Sequence, residues 1–455
     1  MADPLAVPHP ERLPLALRLA QPFREFVHVK SASGVVLIFV ALVAMLWAND
    51  GTDRYEHVWS LPVGASIGSW SFAMPLRLWI NDVLMSVFFL LVGLEIKREL
   101  LVGELASWRS AMLPLLAALG GMIAPAVIYF AINRGGPGQP GWGVPTATDI
   151  AFALGVLALV AKRAPAGLTV FLAALAIADD LGAVLLIGLV YGHAPGAAAL
   201  LWVALALAAL VAANLAGARH PLVYWGLGAL LWIAVHNSGI HATVAGVLLA
   251  FTVPARALID PDAFADHATS VVSVFRGASG HQPVLCNELQ QRSIASLEEA
   301  AEDALPPLAR MLHALHVPVN FVIMPLFALA NAGISLAGMG LESVGAISLG
   351  VIAGLVLGKP LGILLFTTVA VRLGARLPAG VRWGQIAGVA CLAGIGFTMS
   401  LFVSSLAFPA PSMLTEAKLG IFVASIVAGV LGAIVIAIAS RPGAAPDAPD
   451  ASAAG

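Results

Sequence analysis

Twelve apolar runs leave this chain few ways to fold. They lie near residues 31–48, 78–94, 110–132, 142–161, 168–191, 196–216, 221–235, 239–252, 314–332, 344–371, 382–408 and 415–439. About 20 apolar residues in a helix cross the hydrocarbon core of a bilayer, and only helices or closed barrels satisfy their backbone there. Since 60% of the 455 residues are hydrophobic and 11% charged, lipid must be the solvent for most of the chain. The expected fold class is an all-α polytopic membrane protein of about 12 transmembrane helices. No soluble catalytic domain fits between the runs. The net charge of -2 averages over two sides of a membrane and says nothing for or against a nucleic-acid partner.

Charge settles the topology. With twelve spans and the N-terminus inside, 18 of the 23 Lys and Arg fall on cytoplasmic segments, and outside remain Arg54, Arg77, Arg134 and Lys418. Fusing the short seventh and eighth runs across His236–Gly239 would put eleven on each side and erase the bias. Both ends are therefore expected in the cytoplasm. The N-terminal 1–30 has basic residues and prolines without the apolar core of a cleaved signal peptide, so a cytoplasmic tail is expected ahead of a twelve-helix membrane body over 31–440. Residues 49–77 form an outside connection that is either a β-hairpin around Gly68 and Ser69 or an irregular loop. Residues 254–307 read as a flexible cytoplasmic linker with a capping-box pattern at Ser296 and Glu299 ahead of a possible short helix, and 441–455 as a disordered tail. Cys286 and Cys391 indicate neither a disulfide framework nor a thiolate metal site.

Four ionisable groups sit at membrane depth: Asp149, the neighbours Asp179 and Asp180, and Lys359. Each aspartate at a helix centre costs roughly 3 kcal/mol on an insertion scale, so something must offset them. Lys359, just before Pro360, is either a partner that a buried carboxylate needs to stay buried or the countercharge that leaves the other aspartate for a cation or proton. Asp179 and Asp180 lie about 100° apart on a helix and should titrate as a coupled unit. A cation that binds their ionised form displaces protons, which is antiport in thermodynamic outline.

Thr148 and Asp149 follow the breaker-rich GGPGQPGWGVP and precede an apolar helix. They can cap that helix, coordinate an ion at the break of an interrupted helix, or both. A second interruption around Gly394 and Gly396 suggests a pair of structural repeats whose broken helices cross in mid-membrane. At one helix end Glu95, Arg98 and Glu99 form a charged cluster of the kind usually solvated. Asp82 starts the same helix as a cap or a passage-lining carboxylate. His241, like His313 and His316, is either structural or a pH-responsive group.

The motifs TATDIAFALGVLALVAKRAP, LAIADDLGAVLLIGLVY, NDVLMSVFFLLVGLEIKREL, SGIHATVAGVLLAF, PLFALANAGISL and GLVLGKPLGI, in this order in the chain apart from the third, resemble the NhaA family of bacterial sodium/proton antiporters from about Ser31 to Ala439. The resemblance implies inverted-topology repeats, and an electrogenic, pH-regulated transporter of the bacterial inner membrane that takes protons in and sends sodium or lithium out, without a cofactor. By that likeness Asp180 is the principal ion carrier with Asp179 beside it, and Asp149 and Thr148 sit at the helix crossing. Lys359 compensates helix-end charge and pairs with Asp179. Glu95, Arg98, Glu99 and His241 serve the pH response. The outside hairpin joins a homodimer. Leu312 departs from the acidic residue expected before His313, which bears on regulation more than on exchange. A sodium-coupled symporter of an organic anion is the closest alternative. An intramembrane aspartyl protease is more distant, because TD and ADD replace the YD and GxGD contexts.

Overall fold

In the computed structural model, residues 32–67, 70–160, 165–192, 196–278, 284, 287–335 and 344–440 are described. The tails expected over 1–30 and 441–455 lie outside them. Each of the twelve apolar runs holds helix. In chain order the first elements are α1 (Ala32–Ala48), α2 (Arg54–Ser60), β1 (Pro62–Ile67), β2 (Trp70–Pro75), α3 (Leu76–Val102) and α4 (Trp108–Asn133). A 3₁₀ helix over Gln139–Thr146 leads to α5 (Ile150–Val160), followed by α6 (Ala166–Val190), α7 (Ala197–Leu215), α8 (Pro221–His236) and α9 (Val244–Thr252). Then come α10 (Pro261–Gly277), α11 (Glu288–Ala304), α12 (Pro307–Asn331), α13 (Ala346–Arg372), α14 (Trp383–Ala393), α15 (Phe397–Ala407) and α16 (Pro411–Ala439).

Eight helices among the described residues are long and apolar enough to cross a membrane, and α14 with α15, bent by 43° at their break, makes a ninth. The helices α1 and α8 are apolar but shorter. The run 239–252 contains only the nine-residue α9, because turns occupy the stretch ahead of it. Nine residues of helix rise only about 14 Å, less than the hydrocarbon core. The fold is that of an all-α polytopic membrane protein.

The chain divides into two compact units. One comprises residues 1–60, 112–179 and 320–455, the other residues 61–111 and 180–319. In the first, α1 packs on α5 and on the last part of α12, while α14 and the start of α13 pack on α16. Helices α4 and α13 meet at glycines: a Cβ on Gly120 would lie 2.2 Å from the Gly362 carbonyl oxygen, and one on Gly362 would lie 2.0 Å from that of Gly120. No side-chain adjustment relieves a clash with backbone, so this crossing requires glycine at both positions. Gly120→Val is expected to lower the thermal unfolding midpoint in detergent by at least the shift that about 3 kcal/mol of overpacking produces. A midpoint equal to wild type would show that the crossing is loose.

In the second unit α3 packs along α9, and a Cβ on Gly246 would sit 2.1 Å from the Ser86 carbonyl. The strands β1 and β2 pair antiparallel, with Pro62 opposite Pro75 and Ile67 opposite Trp70. The short α2 precedes this pair of strands, and the turn expected around Gly68 and Ser69 lies outside the described residues.

The connection after Pro254 differs from a flexible linker. Its described residues form α10 and α11, which pack on each other. Phe264, Ala268, Val271 and Phe275 are the less exposed positions of α10, at helical spacing. Leu258 N donates to Asp303 O at 2.9 Å, closing the base of the pair. The capping-box pattern is also corrected: Ser296 and Glu299 lie inside α11, and the cap is Asn287, whose side chain accepts from Gln290 N at 3.2 Å. Asparagine is a strong N-cap because its side-chain oxygen accepts a first-turn N–H that has no partner within the helix, whereas a serine inside an established helix has no open turn to cap.

Candidate ion site at the crossing of two broken helices

Two interruptions meet inside the first unit. Pro140 and Pro145 limit the approach to a 3₁₀ helix, and Ala147 leaves it in an extended conformation (φ -80°, ψ 146°). The chain turns helical again at Ile150. The other interruption runs from Gly394 to Gly396, where a Cβ on Gly394 would meet the Leu355 carbonyl oxygen at 2.5 Å. Four buried helix ends result, two rich in N–H groups and two in carbonyls.

The side chains at the breaks answer those ends. Asp149 N donates to Ile395 O at 2.7 Å, joining the two interruptions directly. The Asp149 carboxylate accepts from Phe152 N at 3.0 Å through Oδ1, and from Thr398 N at 3.2 Å and the Thr398 hydroxyl through Oδ2. One carboxylate thus caps both α5 and α15, where the helix dipoles favour negative charge. Phe397 N is satisfied by Ser425 Oγ at 3.1 Å.

The carbonyl ends receive donors. Lys359 Nζ donates to Thr146 O, and Ser400 Oγ to Val144 O at 2.9 Å. Thr148 Oγ1 is 2.9 Å from Ala393 O, at the last residue of α14. Lys359 is 1% exposed and its Nζ also lies 2.6 Å from Asp179 Oδ2. That same oxygen is 2.5 Å from Thr148 Oγ1.

Asp179 is therefore asymmetric. Its Oδ2 takes a lysine and a hydroxyl, while its Oδ1 is buried with no hydrogen-bond partner among the described residues. A buried acceptor without a donor is rare and asks for an explanation. Asp180, the next residue of α6, is 3% exposed. The division into units falls between the two aspartates, so Asp180 belongs to the second.

Thr148, Asp149, Asp179 and Lys359 are thus gathered in one unit, while the other singled-out residues stand in the second. His316 Nε2 is 3.6 Å from Glu95 Oε1, and Arg98 pairs at 3.2 Å with its neighbour Glu99. Asp82 lies in a π-helical stretch of α3 between two imidazoles, with Oδ2 at 3.8 Å from His236 Nδ1 and Oδ1 at 4.0 Å from His241 Nε2. Leu312 is buried in α12.

Sequence reasoning missed Thr398, Ser400 and His236. A hydroxyl two residues past the Gly394–Gly396 break, at the start of an apolar helix, is a local signal for Thr398. His236 gave none beyond closing a helix, because its neighbour Asp82 is 154 positions away in the chain.

Comparison with known sequences adds an independent line. The profile of the family described as Na+/H+ antiporter 1 matches residues 24–436. A Na(+)/H(+) antiporter NhaA of Acidithiobacillus ferrooxidans is 47% identical over 430 residues, 93% of this chain and 98% of that one. Another, of Syntrophobacter fumaroxidans, is 45% identical over 423 residues, 91% and 90% of the two chains. A Na(+)/H(+) antiporter NhaA 2 of Helicobacter hepaticus is 44% identical over 431 residues, covering 92% and 96%. These relatives are named as transporters rather than enzymes, and the match spans nearly the whole membrane body. On that extent of similarity the chain belongs to the Na+/H+ antiporter 1 family.

Proposed function

We propose that the protein exchanges sodium or lithium for protons at Asp179 and Asp180, electrogenically and under pH control. The observation that carries this reading is the asymmetry of Asp179. A buried carboxylate oxygen with no donor suits a desolvated alkali cation, for which carboxylate, hydroxyl and carbonyl oxygens are the natural ligands. Thr148 and Lys359 both meet the other oxygen of Asp179. Asp180 supplies the second carboxylate of the pair and is the principal carrier. Lys359 offsets the charge of Asp179 and of the carbonyl end at Thr146, while Asp149 holds the crossing together through its caps. No cofactor takes part; sodium, lithium and protons are the cargo.

Because both oxygens of Asp149 are engaged in capping, it is poorly placed to share a proton with a second aspartate across a water, as a protease would require. Regulation is assigned to Glu95, Arg98 and Glu99 with His316, and to His241 with Asp82. The lysine and arginine distribution supports an inner-membrane protein with both termini in the cytoplasm, surrounded by lipid. The β1–β2 hairpin on the outer side is the element through which a homodimer forms.

The test is a sodium pulse to everted vesicles that hold a respiration-generated acid interior. Wild type is expected to dissipate the pH gradient on addition of sodium or lithium, and faster when the membrane potential generated by exchange is clamped. An unchanged gradient at every pH from about 6.5 to 9 would remove the antiport reading.

A further inference from the structure

Thr148 is claimed by two acceptors but has one proton. Its Oγ1 lies 2.5 Å from Asp179 Oδ2 and 2.9 Å from Ala393 O, and a hydroxyl donates once while offering lone pairs for the rest. Neither alternative partner supplies a proton of its own: Ala393 O is a carbonyl, and Asp179 Oδ2 as a carboxylate accepts from Lys359 as well. Thr148 and Ala393 are both buried, 1% and 0% exposed, so bulk water does not compete for the proton. The carbonyl is the terminal residue of α14, where the helix itself leaves acceptors over.

The two orientations have different consequences. With the proton on Asp179, the hydroxyl makes a charge-assisted bond, the stronger of the two, and releases the Ala393 carbonyl. With the proton on Ala393, the oxygen turns its lone pairs toward Asp179, whose Oδ1 has no hydrogen-bond partner among the described residues. A cation that bridges Thr148 Oγ1 and Asp179 Oδ2 requires the second orientation, since in the first the O–H lies along the line between those two oxygens and repels it.

We propose that Thr148 is a two-position switch: its hydroxyl proton is parked on the Ala393 carbonyl while sodium or lithium occupies Asp179, and returns to Asp179 when the cation leaves. The Ala393 carbonyl is thereby a positioning group for the exchange. Through it the occupancy of the site on one broken helix is written into the hydrogen bonding at the end of the other. The cation takes over the role that the hydroxyl proton plays toward Asp179 in the empty site, so binding leaves no newly orphaned donor. The inference rests on the cation-binding role assigned above to Asp179, and it goes further by assigning a function to a main-chain group 245 residues away in sequence.

The experiment measures sodium affinity of the purified protein calorimetrically at one alkaline pH, in a double-mutant cycle. One arm is Thr148→Val, isosteric without the hydroxyl. The other replaces the Gly394 residue by its α-hydroxy acid, so that the Ala393 carbonyl becomes an ester oxygen, a weaker acceptor. Thr148→Val is expected to weaken sodium binding about tenfold. The ester is expected to weaken it several-fold in the Thr148 protein and to have no effect in the Thr148→Val background. An equal ester penalty in both backgrounds, or unchanged affinity in Thr148→Val, overturns the switch while the antiport reading stands. If wild type binds no sodium at all, it is the antiport reading that fails. Should the ester protein not fold, Thr148→Ser and Thr148→Cys decide. Serine is expected to bind within about threefold of wild type, and cysteine, a poor donor to a carbonyl, near the valine variant. A cysteine variant that binds sodium like wild type overturns the proposal.

Discussion

Replacing Lys359 by methionine is expected to cost about 3–5 kcal/mol of stability, and Asp179→Asn a comparable amount, because each leaves the other partner charged and buried. Lys359 and Asp179 are 1% and 2% exposed and meet at 2.6 Å, so neither has water to fall back on. The double variant is expected to recover most of the loss, since it buries no lone charge. Its remaining deficit is the bond from Lys359 to the Thr146 carbonyl, which methionine cannot replace. Thermal unfolding in detergent gives all four corners of the cycle. Strictly additive losses in the double variant would show that the two side chains are not energetically paired.

The second large effect concerns transport. Asp180→Asn is expected to reduce sodium-driven proton movement by at least about 100-fold, to the level of vesicles without the protein. An amide of the same size can neither give up a proton nor carry the charge that offsets desolvation of a cation. Because asparagine buries no charge at all, the unfolding midpoint should stay within the shift that about 1 kcal/mol produces. Normal transport by a folded Asp180→Asn protein would move the carrier role to another group, with Asp179 the first to consider.

The apolar runs and the positions of both interruptions were legible in the sequence because they are local. Length and hydropathy report a span, and the Pro-rich stretch before Thr148 and the glycines at 394 and 396 report a break. The ionisable residues at depth were equally visible, since lipid makes each an anomaly. What local pattern did not carry was the completion of the breaks. Asp149 finds its second helix end through Thr398, 249 positions away, and Ser400 reaches back to Val144 across 256. Main-chain acceptors such as Ala393 O have no residue signature whatever. The connection after Pro254 is legible only in part for a related reason. Its apolar residues are sparse and its helices bury little, so the sequence signals one short helix in a linker but not the pairing of α10 with α11.

The central claim is that sodium and protons compete for the same buried carboxylates, and proton release on sodium binding tests it most directly. Calorimetry of sodium binding to the purified protein, at one pH in two buffers of different ionisation enthalpy, counts the protons released. The account predicts a binding enthalpy that changes between buffers in proportion to their ionisation enthalpies, and no such heat for Asp180→Asn. Sodium binding with the same enthalpy in both buffers would contradict it.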